Sequence, residues 1–226
     1  MPAAKRRHVT FFNSASIPET IKISPFKVDI LHLSYGKSGF FKVYMEEIDG
    51  VMQGGVIRFP IQLTSAGLRG RFNPVDGQLY VVGLGMGQTT AVKPGGFDRV
   101  RTTGTPVRMG RSLAIVPNGV RLSFTTKLDP STAADPGNYS IKQWNYRWTD
   151  GYGSATYSVD DPEKKTDGDV VAITKATLSA DGLSVDLEIP SMKPVMQFAV
   201  SCKVGTADGE AISAEFMSTI HKVPKK

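Results

Sequence analysis

Leu68-Arg69-Gly70-Arg71-Phe72-Asn73-Pro74-Val75-Asp76-Gly77-Gln78-Leu79-Tyr80-Val81-Val82-Gly83-Leu84-Gly85 reads as a β-hairpin. Leu68, Gly70 and Phe72 alternate with Arg69 and Arg71, the Asn-Pro-Val-Asp-Gly segment supplies turn chemistry, and residues 78–82 form a β-branched and aromatic run. About fifty residues upstream, residues 28–36 carry a similar apolar run ending in an aromatic and a glycine. Each copy leads into a glycine pair and a basic strand, Gly54-Gly55-Val56-Ile57-Arg58-Phe59 in the first and Gly95-Gly96-Phe97-Asp98-Arg99-Val100 in the second.

The offsets between the copies are roughly 48 and 41 residues, the period range in which each repeat is one small antiparallel sheet of a propeller. The first unit is expected to hold strands at about 29–34, 40–47 and 51–59, and the second to run over about 67–104. Thr103-Gly104-Thr105-Pro106 then marks a hinge. Beyond it, Pro117-Asn118-Gly119 leads into an alternating strand, and Leu128-Asp129-Pro130 opens one short helical turn that exits at Asn138-Tyr139. Further strands are expected at about 170–178, 183–189, 196–204 and 210–220, with a hairpin at Ser179-Ala180-Asp181-Gly182. Six or seven short strands in about 115 residues is the count of an immunoglobulin-like β-sandwich.

The bulk composition agrees with an all-β chain. A chain of 226 residues, 40% hydrophobic, can fill a real core, and its 23 glycines and 14 prolines are spread as they would be among many tight turns. The net charge of +6 sits at the ends: setting aside Lys5, Arg6, Arg7, Lys222, Lys225 and Lys226 leaves 21 basic residues against 21 acidic ones. A balanced body with no basic-aromatic module argues against a nucleic-acid partner. The single cysteine, Cys202, lies in an alternating run and reads as a buried strand thiol; alone it makes no intramolecular disulfide, redox pair or multi-cysteine zinc site. No apolar run reaches membrane-spanning length, and the N-terminal Met-Pro-Ala-Ala-Lys-Arg-Arg-His is not followed by the apolar core of an export signal.

The residues 32–38, 53–60 and 69–81, that is His32-Leu33-Ser34-Tyr35-Gly36-Lys37-Ser38, Gln53-Gly54-Gly55-Val56-Ile57-Arg58-Phe59-Pro60 and the hairpin from Arg69 to Val81, resemble the last blades of a propeller related to quinoprotein sugar and sorbosone dehydrogenases. Such propellers occur in large secreted or periplasmic bacterial proteins that often carry a c-type haem domain. The second half, through Leu128-Asp129-Pro130 and Asn138-Tyr139, is similar to the immunoglobulin-like module that follows the propeller there. The resemblance implies an N-terminal extension at 1–27, about two propeller-like blades at 28–104, an immunoglobulin-like sandwich at 105–223 and a basic tail at 224–226. About six blades close such a propeller, so the chain is expected to be the C-terminal piece of a longer protein.

Candidate site residues follow from these placements. Arg69 and Arg71, two apart on a strand, share a face, and the resemblance implies basic side chains holding an anionic cofactor there, pyrroloquinoline quinone, in a complete propeller. Trp144, Trp148, Tyr152 and Tyr157 belong to an aromatic segment that either stacks on sugar rings or packs, with Trp144, Tyr146 and Trp148 alternating onto one buried sandwich face. His32 would need an oriented partner such as Asp29 or Glu46 to act as a base. The acidic run Asp160, Asp161, Glu163, Asp167 and Asp169 lacks the order of a calcium loop and reads as solvated, and Gly83-Leu84-Gly85-Met86-Gly87 as turn glycine. No metal is expected, and no cofactor within this chain alone.

Two functions are carried forward. One is a non-catalytic binding or structural fragment of a larger propeller protein that contacts carbohydrate or a partner chain, with open blade edges favouring self-association or upstream blades. The other is a subunit of a quinoprotein-type dehydrogenase oxidising a sugar or polyol.

Overall fold

The computed structural model describes residues 14–16, 30–85, 87, 89–150 and 153–225. Within them the chain is all-β, in several antiparallel sheets of which none closes on itself. In chain order the strands are β1 (Ser14–Ser16), β2 (Ile30–Ser34), β3 (Gly39–Ile48), β4 (Val51–Arg58), β5 (Gly67–Phe72), β6 (Leu79–Leu84) and β7 (Gly95–Val100). Then come β8 (Gly110–Val116), β9 (Gly119–Phe124), a short helix α1 (Pro130–Ala133), β10 (Tyr139–Tyr146), β11 (Thr156–Tyr157) and β12 (Asp169–Val171). The last four are β13 (Lys175–Leu178), β14 (Ser184–Glu188), β15 (Val195–Gly205) and β16 (Ala211–Ile220). Of the N-terminal extension expected at 1–27 only residues 14–16 are among those described, and the single strand expected at 170–178 is two, β12 and β13.

Contacts divide the chain into two compact units, Met1–Phe41 with Ile61–Thr103, and Lys42–Pro60 with Gly104–Lys226. The segment 42–60, which the repeat pattern groups with residues 67–104, therefore makes its contacts in the second unit. The reason lies in β4, which pairs with β16 over Ile57↔Phe216 to Gly54↔Thr219. Gly55 permits this approach: a Cβ there would stand 1.9 Å from the Met217 carbonyl oxygen and 2.5 Å from Tyr44 Oη. The hydroxyl of Tyr44 donates to that same carbonyl at 3.1 Å, and burial pushes its pKa up, so it stays a neutral donor.

In the first unit, β5, β6 and β7 form an antiparallel meander and β1 pairs with β2. The β5–β6 turn is built by local chemistry: Asn73 Oδ1 accepts from the Val75 amide at 2.9 Å, Asp76 Oδ1 from the Gln78 amide at 3.0 Å, and Gly77 takes φ +69°. One sheet face is buried, with Leu79 and Val81 inward, and Leu33 of β2 lies over Gly70. Asp98, on β7, turns to the same side, where it accepts from Thr64 Oγ1 at 2.7 Å.

In the second unit one sheet runs β4-β16-β15-β10, with β11 and β12 both on β10, and the other runs β13-β14-β9-β8. Their burial alternates at period two: Val120, Leu122 and Phe124 of β9 are buried, as are Ile141 of β10, Phe198, Val200 and Cys202 of β15, and Phe216 of β16. The two sheets meet where Phe124 and Phe216 pack edge to face, ring centroids 5.9 Å apart at 81°. Burial pushes the Cys202 thiol up to about 12, which leaves it protonated and unreactive at neutral pH. Helix α1 begins as its sequence dictates, Asp129 Oδ1 accepting from the Ser131 amide at 3.0 Å with Pro130 in the first turn. It is tied to the sheet by Tyr139, whose hydroxyl donates to Ala133 O at 2.8 Å.

A polar chain secures the edge strand β8. Glu46 of β3 accepts from the Ile115 amide at 3.1 Å and from Gln53 Nε2 at 2.8 Å, while Gln53 Oε1 accepts from the amides of His221 and Lys222, each at 2.9 Å. At the opposite loop Arg108 Nε donates to Asp208 Oδ2 at 3.1 Å. That guanidinium, followed by the Thr206 hydroxyl, holds the Asp208 carboxyl down at about 2. A folded-state pKa below the unfolded value adds stability above about pH 4, and this is lost as the pH falls toward 2. The Asp208 carboxyl resonance is expected to titrate near pH 2 and to return toward the ordinary carboxylate range in Arg108→Ala. An unchanged midpoint in that variant would refute the pairing.

Candidate functional site

The aromatic segment begins on β10, where Tyr139, Ile141 and Gln143 point inward and are buried. Trp144 and Tyr146 are of the opposite parity and so lie on the outer face. Trp144 is half-buried: a Cβ on Gly168 (φ +112°) would lie 3.5 Å from its ring. Tyr146 is 47% exposed and Trp148, in the loop beyond, 96% exposed. Trp144 and Tyr146 alternate as expected but on the outer face, and Trp148, beyond the end of the strand, is exposed rather than a core residue. Tyr152 lies outside the described residues.

The loop carrying Trp148 is organised by β11, which folds back to place Tyr157 opposite Asn145 and Thr156 opposite Tyr146. Arg147 lies with its guanidinium 4.3 Å from the Tyr157 ring centroid, a cation–π contact, and donates to Pro162 O at 2.5 Å and Glu163 Oε1 at 2.6 Å. Its amide donates to Ser154 Oγ at 3.0 Å, and Thr149 Oγ1 donates to Gly153 O at 2.9 Å. These bonds hold Arg147 and Thr149, the two neighbours of Trp148. The structure thus brings Trp148 and the Arg147–Tyr157 pair into one loop, with Trp144 at its base.

The acidic residues nearby do not converge. Asp160 pairs with Lys193, Glu163 with Arg147 and Asp167 with Lys142, while Asp169 Oδ2 accepts from Ser158 Oγ at 2.9 Å and the Val159 amide at 2.6 Å. Hydrogen bonding to Lys142 holds the Asp167 carboxyl below its ordinary pKa. Among the described residues no three His, Cys, Asp or Glu side chains are grouped to hold a metal ion.

Arg69 and Arg71 are exposed on one face of β5, and each turns a guanidinium onto the preceding carbonyl, Leu68 O and Gly70 O, at 2.8 Å. His32, exposed on β2, stands opposite Ser14. Asp29 lies outside the described residues, and Glu46 is committed to Ile115 and Gln53. Gly83 is a strand residue rather than a turn residue: a Cβ there would stand 2.3 Å from Ala66 O. Two features were not read from sequence: the Glu46–Gln53 chain, which spans 69 positions to Ile115, and the company Arg71 keeps across its sheet, with Tyr80 on β6 and Arg99 on β7 in register. The alternation of β6 and β7 was the available signal for the second.

No protein-family model, curated protein or solved structure matches this chain.

Proposed function

We propose that this protein is a non-catalytic binding module whose second unit is an immunoglobulin-like sandwich that contacts carbohydrate through the loop bearing Trp148. The observation that carries the reading is the 96% exposure of Trp148 between two neighbours that are each held by a hydrogen bond, Arg147 and Thr149. A large apolar ring held in water stacks readily on the apolar face of a pyranose, and the neighbouring Arg147, Thr149 and Ser154 supply polar groups for hydroxyls. The sandwich reading is supported by strand order. Taken from β8, with β11 and β12 as insertions after the third strand, the seven strands sort as first-second-fifth-fourth and third-sixth-seventh, which is the immunoglobulin arrangement. For the first unit, the β5-β6-β7 meander stacked under β2 supports a blade-like reading, its outer strands left for further blades or a partner chain.

Tryptophan emission tests the ligand. With Trp144 half-buried and Trp148 exposed, the protein is expected to show a red-shifted emission component that disappears in Trp148→Phe. Added neutral oligosaccharides should perturb that component in the parent and leave Trp148→Phe unmoved. Stability should change by less than about 0.5 kcal/mol, as for other surface substitutions. Emission indifferent to a panel of xylo-, cello- and chito-oligosaccharides would dispose of the carbohydrate reading.

A further inference from the structure

The first unit presents a second surface, independent of Trp148. Cross-strand register places Arg71, Tyr80 and Arg99 in one row and Arg69, Val82 and Phe97 in the next. All six are on the face opposite Leu79 and Val81, because side chains of one parity share a side. Phe97 is 68% exposed and Val82 46%, and Arg69, Arg71 and Arg99 are exposed. Tyr80 and Phe97 stack diagonally, centroids 5.6 Å apart and planes at 25°. The Tyr80 hydroxyl is held by Asp76 Oδ2 at 2.7 Å, which pins the ring and occupies that carboxylate.

The chemistry of this face is one-sided. Residues 61–103 contain five basic side chains and two acidic ones, Asp76 and Asp98. Asp98 is turned to the buried side, onto Thr64, and Asp76 is bonded at the turn. The two rows therefore offer guanidinium donors and aromatic planes, with one carboxylate at their edge, Asp76, whose Oδ2 already accepts from the Tyr80 hydroxyl. Their complement is a ligand with flat, stackable rings and regularly spaced anions.

We infer that this face binds a single-stranded polynucleotide, bases stacking on Phe97 and Tyr80 and phosphates lying against Arg69, Arg71 and Arg99. The balanced charge of the body between the two basic ends does not speak against this, since the arginines act through their placement on one face.

The test is fluorescence anisotropy of a labelled fifteen-residue oligo(dT) with the full chain, against salt. Binding is expected with log K falling against log salt at a slope of about −2, from three phosphate contacts. Phe97→Ala should weaken it roughly tenfold, the order for loss of one stacked base, and Phe97→Leu should weaken it nearly as much because area without a π face does not replace stacking. Arg71→Ala should reduce the slope by about 0.7. Trp148→Phe should bind as the parent does. Both positions are exposed, so unchanged circular dichroism would establish that the variants fold. No binding would overturn the inference, as would equal affinity for duplex DNA, or heparin binding that survives Phe97→Ala with oligo(dT) ignored.

Discussion

Phe216→Ala is expected to destabilise the second unit by about 3–5 kcal/mol, the range for deleting a fully buried phenyl ring. Phe216 has no exposed surface, and it meets Phe124 of the facing sheet edge-on. Three features place the cost in the upper part of that range. The ring lies so close to Gly110 that a Cβ there would be 2.5 Å away, and glycine has no side chain with which to fill the space. Its cross-strand partner Ile57 is 1% exposed and held in the β4–β16 ladder, so it cannot move inward without breaking backbone bonds. The edge-to-face contact with Phe124 is lost as well, about 0.5–1.5 kcal/mol beyond area burial. Urea denaturation followed by far-ultraviolet dichroism would measure the change, and a loss below about 1.5 kcal/mol would mean that the two sheets are not joined through this ring.

Leu33→Ala should have the second-largest effect, about 2–5 kcal/mol, in the first unit. Leu33 is 1% exposed, and its Cδ1 would lie 3.1 Å from a Cβ on Gly70, its own Cβ 3.7 Å from one on Gly67. The two glycines beneath the leucine have no side chain with which to close the void. Amide hydrogen exchange would locate the damage: protection at residues 69–72 and 79–82 should fall sharply. If those amides exchange as before, the packing of β2 on the β5-β6-β7 meander contributes less than its burial implies.

How much of this was legible beforehand depends on the range of the interaction concerned. The β5–β6 hairpin was legible because Asn73, Asp76 and Gly77 make the turn with groups no more than five residues apart. The same holds for Asp49-Gly50, both at positive φ between β3 and β4, and for Asp129, which caps α1 across two residues. The all-β class followed from alternation and turn residues. The partner of β4 was not legible. Gly54 and Gly55 look like the repeat of Gly95 and Gly96, yet the first pair admits β16, some 160 residues away, and the second opens β7, where Gly96 accommodates the hydroxyls of Thr64 and Ser65.

The candidate sites divide in the same way. Trp144, Tyr146 and Trp148 share a parity in any strand, and period two is blind to which side is the core. That side is set by the tertiary packing of β10, which buries Ile141 and Gln143. Arg69 and Arg71 share a face by spacing alone, whereas Tyr80, Phe97 and Arg99 join them only through the register of β6 and β7. By itself, then, the sequence determined the strands, the turns and the residue chemistry, because those depend on neighbours along the chain. Which strands pair, which faces meet water and which side chains assemble into a site were decided by the tertiary structure, because backbone pairing and burial act between segments that sequence distance does not relate.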